Sequence, residues 1–315
     1  MVRVLGIDTS NYTTSIAVVS ENGIELDSRK ILNVKMGERG LRQSEALFQH
    51  VMNLPTLFED LSCSNLDAVC VSIAPRPVEG SYMPVFRAGE SFGRVISVTN
   101  SIPLFFTTHQ EGHIEAAIRT ANLNLKRFIA LHISGGTSEV LMVDRFIDYT
   151  IKKIGGTRDI SIGQFLDRIG VALGFDFPAG KYLDQLAMGV RNSPLRIPSK
   201  VDGFDFNFSG QETLALKYIA EAKSKEEIAH AAMTCVAKTL EKLINNLIIE
   251  YKLPILLLGG VASSEFLRGR LEKIFGNNIY FSNKRFASDN AVGVAYIGLN
   301  KILKGKYNGS LNNRL

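Results

Sequence analysis

The sequence predicts an α/β protein of two lobes, each built on the same βββαβα plan. Three observations carry that expectation. At 315 residues the chain exceeds what one hydrophobic core usually organises. Its composition, 45% hydrophobic and 21% charged, is that of globular material and excludes a disordered or fibrous protein. One arrangement of strands and turns also occurs twice.

The first copy opens with the apolar run VRVLGIDTS (residues 2–10), turns through Asn11, Tyr12 and Thr13, and continues as TSIAVVS (14–20). A more polar third strand, GIELDSRKIL (23–32), follows. Helical text then runs from Gln43 to Leu61, and a strand from Asp67 to Ile73. The second copy reads FIALHIS (128–134), the turn Gly135-Gly136-Thr137, SEVLMV (138–143) and IDYTIKKI (147–154). A helix from Ile162 to Leu173 comes next, and a later strand from Ile255 to Leu258.

This repeated unit is the layout of the actin, hexokinase and heat-shock ATPase fold, where each half presents a strand-turn-strand loop to nucleotide phosphates. The turns have suitable chemistry. Thr9, Ser10, Thr13 and Thr14 bring hydroxyls, and Gly135 and Gly136 remove side chains that would block a ligand from the backbone. Two unrelated hairpins with polar turns are the other reading. The lobes are expected at 1–105 and 106–289, with a terminal helix at 290–305 packing back on the first lobe. The Gly-, Asn- and Lys-rich tail, from about 306 to 315, is expected to fray.

Composition excludes several function classes. The apolar N-terminus is cut short by Asp8, as in a buried strand rather than a secretory signal. The run Pro254–Leu258 is far too short to span a bilayer. Cys63, Cys70 and Cys235 form no CxxC pair and read as small buried hydrophobes in a reducing compartment. A soluble cytoplasmic protein with no membrane partner is expected. The net charge of +5 admits a polyanionic partner without requiring one.

The sharpest local signal is THQEGHIEAAI. His109 and His113, four apart, stack on one helical face at a spacing that suits two imidazoles on one metal ion. Packed or surface histidines are the alternative. A zincin would need Glu directly after the first His; Gln110 stands there, and Glu111 lies about 100° further round the helix. The metallopeptidase reading therefore lacks its base. Asp289, in Ser288-Asp289-Asn290 ahead of an apolar helix, is a candidate third ligand and equally an ordinary N-cap. Gly259 and Gly260 follow a buried strand and precede a helix, an arrangement that suits adenosine or phosphate and that also occurs in plain βα turns. Asp167, in an amphipathic helix, can accept from a ribose or substrate hydroxyl or face Arg168 in solvent.

In order along the chain, HQEGH, HISGGT, GQFLDRIGVALGFDFPAG, FNFSGQET, LLLGGVASSEFLR and FASDNAVGVA resemble the tRNA threonylcarbamoyladenosine synthase family, formerly called O-sialoglycoprotein endopeptidases. The resemblance extends from LGIDTS to the final helix. It implies the actin-like fold and a transferase that moves a threonylcarbamoyl group from its adenylate to N6 of the adenosine 3′ of certain tRNA anticodons. By resemblance, His109, His113 and Asp289 hold iron or zinc. Ile133, Ser134, Gly135, Gly136 and Thr137 line the adenylate site, with Asp167, Gly180 and Ser264 contributing. Thr9, Ser10, Thr13, Gly259 and Gly260 remain phosphate-loop candidates. tRNA is the implied partner, alongside accessory proteins or a homologous actin-like subunit.

The chain departs from the family pattern at several points. Thr137 stands where SGGHT carries histidine, Ser264 where asparagine is usual, and Glu212 where FSFSGLKT carries lysine. Ala74–Met83, APRPVEGSYM, replaces a glycine-rich loop, so the segment from Pro75 to Pro84 has two extra prolines and an arginine. SNYTT replaces a turn like SCDET, and RGLRQSE from Arg39 to Glu45 replaces GGVVPE. These changes motivate a second reading: a divergent paralogue, a carbamoyltransferase or nucleotide-binding protein with a non-tRNA acceptor. A non-enzymatic scaffold is a third, against which the kept metal ligands argue.

Overall fold

In this computed structural model the described residues are all except 11, 35–40, 60, 62–64, 146–148 and 308–315, with the backbone alone at 306–307. Cys63, Arg39 and most of the expected tail therefore lie outside the described residues. In chain order the elements begin with β1 (Arg3–Asp8), β2 (Thr13–Ser20), β3 (Gly23–Ile31), α1 (Gln43–Glu59) and β4 (Ala68–Ser72). Then come α2 (Phe86–Asn100), β5 (Leu104–Thr107), α3 (His109–Thr120), β6 (Arg127–Ile133), β7 (Ser138–Arg145) and β8 (Tyr149–Thr157). These are followed by α4 (Ile162–Ala172), α5 (Gly180–Met188), β9 (Val201–Asp202), β10 (Asp205–Phe206), α6 (Ser209–Ala220) and α7 (Lys225–Tyr251). Last are β11 (Ile255–Leu258), α8 (Glu265–Phe275), β12 (Ile279–Phe281) and α9 (Val292–Tyr307).

The chain divides into two units, Met1–Asn122 with Ser288–Leu315, and Leu123–Ala287. The division falls at Asn122 rather than near 105, and the return to the first unit precedes Asp289. The cause is pairing: β5 extends the first sheet beside β4, and α3 packs on α9. Residues 306 and 307, expected in the tail, are the end of α9.

The first unit holds a sheet in the order β3-β2-β1-β4-β5. The first three strands are antiparallel to their neighbours, while β1, β4 and β5 run parallel. The second unit repeats this as β8-β7-β6-β11-β12, with the same pattern of antiparallel and parallel pairs. The short strands β10 and β9 extend its far edge. The repeat is therefore one of pairing as well as of order; α5, β9, β10 and α6 are inserted in the second copy before α7 and β11.

Apolar runs form the inner strands β1, β2, β4, β6 and β11, which are buried on both faces, while the outer β3 and β8 are more polar and partly exposed. In the first unit Leu5, Ile7, Ile16, Val18, Val69 and Val71 pack with Leu54 of α1 and Ala88 of α2. In the second, Ile129, Leu131 and Val140 meet Phe165 of α4 and the long α7 through Val236 and Leu240. Helix α9 lies against β1 and β4 by means of small residues. A Cβ at Gly6 would stand 2.6 Å from Ala291 O and Ala295 N, and one at Gly298 would stand 2.6 Å from Cys70 Cβ. This close seating brings the segment before α9 beside α3.

Candidate functional site

Helix α3 begins with a capping box. Thr108 accepts from the Glu111 amide, and Glu111 Oε2 accepts from the Thr108 amide and from the hydroxyls of Thr107 and Thr108. Glu111 is thus committed to the helix start, and the expectation that it lacks the placement of a metalloprotease base agrees with that commitment. The next amides, of His109 and Gln110, donate to the carbonyls of Ala74 and Pro75 at 2.9 and 3.1 Å. The proline-containing loop from Pro75 to Pro84 is tied in this way to the first turn of α3.

His109 and His113 are both buried, so the alternative of surface histidines does not apply. Their Nε2 atoms are 3.1 Å apart. Asp289 Oδ1 lies 3.2 Å from His113 Nε2 and 3.4 Å from His109 Nε2. Asp289 is not the N-cap of α9: Asn290 Oδ1 accepts from the Val292 amide instead. The carboxylate of Asp289 is free of helix duty and faces the imidazoles.

This donor set fits a metal ion. For bonds of about 2.1 Å, donor separations of 3.1–3.4 Å correspond to angles of roughly 95–110° at a common centre. Two imidazoles and one carboxylate meeting on one side is also a recurrent set for iron and zinc. Electrostatics agree with cation binding. Burial by itself disfavours an Asp289 carboxylate, but hydrogen bonds from His109 and His113 outweigh it and hold the acid well below the usual range. Burial likewise opposes charge on His109, yet the charge of Asp8 and hydrogen bonds to Asp289 and Asp8 carry its pKa up to about 10. The pocket is built for positive charge.

The first turn differs from expectation. Thr9 Oγ1 donates to Val85 O and accepts from the Gly89 amide, which serves the start of α2. Thr14 Oγ1 bonds His50 and Asn53 of α1. Ser10 Oγ stands 2.8 Å from His109 Nδ1. Thr13 is buried at the head of β2. As phosphate-loop hydroxyls, Thr9, Ser10 and Thr13 are therefore buried, and Thr9 and Ser10 have internal partners.

In the second unit, the expected adenylate residues form two groups. The turn after β6 is closed by Ser134 N donating to Thr137 O and by Thr137 N donating to Ser134 Oγ. Gly135 and Gly136 have open space where a Cβ would be. The turn after β11 lies beside it: Gly259 has φ +95°, and a Cβ there would come within 2.4 Å of Ile133 O. Only glycine meets both demands at 259. Ile133–Thr137, Gly259 and Gly260 are thus neighbours at the ends of adjacent parallel strands, a common ligand position in α/β sheets.

The other group surrounds α5. Asp167 Oδ1 accepts from the Ala179 and Gly180 amides at 2.8 and 3.0 Å, so it shapes this turn and does not pair with Arg168. Arg168 instead reaches Glu212 at 3.1 Å. Ser264 caps α8 through the Leu267 amide and donates to Asp184 of α5. The residues missed by sequence reasoning are Asp8 and Asp184. An acid ending an otherwise apolar strand was the available signal for Asp8.

A family model described as TsaD, tRNA N6-adenosine threonylcarbamoyltransferase, matches residues 45–296. A protein of that name from Thermodesulfovibrio yellowstonii is 30% identical, with 96% of this chain and 95% of the relative covered. Another from Fusobacterium nucleatum is 28% identical, with 96% and 92% covered. A probable bifunctional tRNA threonylcarbamoyladenosine biosynthesis protein from Thermoplasma volcanium is 27% identical over 94% of this chain and 56% of its own. Among solved structures, full-length HypF superposes with a TM-score of 0.62 at 14% identity, covering 96% of this chain and 56% of HypF. Component A of the Acidaminococcus fermentans (R)-2-hydroxyglutaryl-CoA dehydratase gives 0.60 at 16%, covering 96% and 100%. These likenesses concern the fold, which is that of the actin and hexokinase class. The family match over most of its length makes this chain a member of the tRNA N6-adenosine threonylcarbamoyltransferase family, and a transferase.

Proposed function

We propose that the protein transfers a threonylcarbamoyl group from threonylcarbamoyl-adenylate to N6 of the adenosine 3′ of the tRNA anticodon, with iron or zinc held by His109, His113 and Asp289. The observation that carries this reading is the meeting of those three donors at 3.1–3.4 Å in a member of the family. When bound, such an ion supplies Lewis-acid polarisation of the carbamoyl oxygen and neutralises phosphate charge. The open backbone at Gly135 and Gly136, with Ile133, Ser134, Thr137, Gly259 and Gly260 around it, receives the adenylate. Asp167, Gly180 and Ser264 shape the neighbouring wall. The N6–C bond forms as the C–O bond to AMP breaks; AMP leaves with that electron pair and the N6 amine releases one proton to solvent.

No protein nucleophile is required, and the two cysteines among the described residues support that view. Burial pushes the thiols of Cys70 and Cys235 up to about 12, so neither is a thiolate at neutral pH. tRNA is the acceptor, and accessory proteins or a homologous actin-like subunit are the further partners. The protein acts in the cytoplasm. Among the described residues no helix is long and apolar enough to cross a membrane.

Specific observations favour one second reading, a divergent paralogue with a non-tRNA acceptor. Glu212 is neutralised by Arg168, and Ser264 is held by Asp184, so two positions that depart from the family pattern have their own partners. Nucleoside mass spectrometry on unmodified tRNA, incubated with metal-loaded protein and threonylcarbamoyl-adenylate, separates the two. Modified adenosine that is lost in His109→Ala is the expected result. Absence of modification, with adenylate binding retained, overturns the tRNA acceptor in favour of the paralogue.

A further inference from the structure

Asp8 ends β1, a strand whose residues from Val4 to Ile7 are buried, and is itself 1% exposed. A carboxylate in such a place is costly unless its oxygens are bonded. Both are. Oδ1 accepts from Ser72 Oγ at 2.7 Å and from the Ser10 amide at 3.0 Å. Oδ2 lies 2.7 Å from His109 Nδ1. Ser72 ends β4, which pairs in parallel with β1, so sheet register itself places the anchor beside the acid.

The two nitrogens of His109 have different surroundings. Nδ1 faces Asp8, with the Ser10 hydroxyl 2.8 Å away. Nε2 faces His113 Nε2 and Asp289 Oδ1, with the Ser10 hydroxyl farther off at 3.4 Å. With an ion in place of its second proton, the His109 imidazole carries one proton, and a carboxylate that holds it on Nδ1 leaves the Nε2 lone pair for the cation. Asp8 is not itself grouped with the donors His109, His113 and Asp289: its Oδ2 lies at Nδ1 of the ring, and its Oδ1 is engaged by Ser72 and the Ser10 amide.

We propose that Asp8 is a positioning residue of the metal centre, fixing His109 as the Nδ1–H form and holding the ring so that Nε2 meets the ion. The assignment rests on the metal reading above. Zinc is the probe for its test, added to the metal-free full-length protein in competition with a chromophoric chelator. The unaltered chain, Asp8→Asn and Asp8→Ala are compared.

Affinity is expected to fall by about 10–100-fold in Asp8→Ala, the range seen when a histidine ligand loses its outer partner, with Asp8→Asn between the two. In zinc-loaded protein with 15N-labelled histidine, the His109 Nδ1–H resonance should lie far downfield. It should move upfield or vanish by exchange when Asp8 is replaced, a change that a merely structural residue would not produce. If Asp8→Ala fails to fold, the near-isosteric Asp8→Asn carries both measurements. Undiminished zinc affinity and an unmoved Nδ1–H resonance overturn the assignment while leaving the ligand set intact. Failure of the unaltered chain to bind zinc overturns the metal reading, and this assignment with it, before any variant is measured.

Discussion

Gly293 of α9 lies directly against Gly112 of α3: a Cβ at 293 would stand 1.8 Å from the Gly112 carbonyl oxygen and 2.7 Å from the Ala116 amide. Backbone meets backbone at this crossing, four residues after Asp289 and one before His113. Gly293→Ala should therefore force the helices apart, at or above the roughly 3 kcal/mol upper end usual for overpacking. A urea midpoint measures it. Gly305→Ala, near the end of the same helix with open space around it, should instead be neutral or stabilising by up to about 1 kcal/mol. Equal effects at both positions would discount the crossing.

His113→Ala and Asp289→Asn should each bring bound zinc or iron to background while leaving the far-ultraviolet spectrum unchanged. The reason is that each removes one of three donors from a set held together by the packing of α3 on α9. Metal content of the isolated proteins is the readout. Retained metal in both would remove these residues as ligands.

Thr108→Ala should cost about 1 kcal/mol, the usual cost of losing a threonine N-cap. Because Glu111 bonds the same residue in return, the loss should be non-additive with Glu111→Ala. A double-mutant cycle on urea midpoints tests this, and strict additivity would argue against the reciprocal box.

Glu212→Lys places two cations where Arg168 and Glu212 now pair. The Arg168 side chain is 51% exposed, so water screens the pair and the change in stability should stay below about 1 kcal/mol. With the fold intact, any change in tRNA modification by this variant then reports on the site. A loss of several kcal/mol would show that the pair has a structural role beyond its surface geometry.

Much of the architecture was legible in local residue patterns. Apolar runs, glycine turns and their repetition placed the first three strands of each unit and the central β4 and β11 to within about three residues, since these signals are set by neighbours in sequence. The short or edge strands β5, β9, β10 and β12 carried no such pattern. The family motifs likewise singled out His109, His113 and Asp289. What local pattern did not convey was where each polar group would find its partner. Thr9 and Thr14 look alike in a polar turn, yet one serves α2 and the other α1. Asp8 looked like the end of a strand, because its partners Ser72 and His109 lie 64 and 101 residues away. The unit boundary was misplaced for a similar reason, as β5 and α3 are held by contacts with β4 and α9. Sequence by itself determined the central strands, the repeat and the donor types, all short-range properties of the chain. Tertiary structure decided which hydroxyls and carboxylates were internally bonded and which, like Asp289, came to lie beside the paired imidazoles, because contacts between distant segments exist only once the sheets and helices have packed.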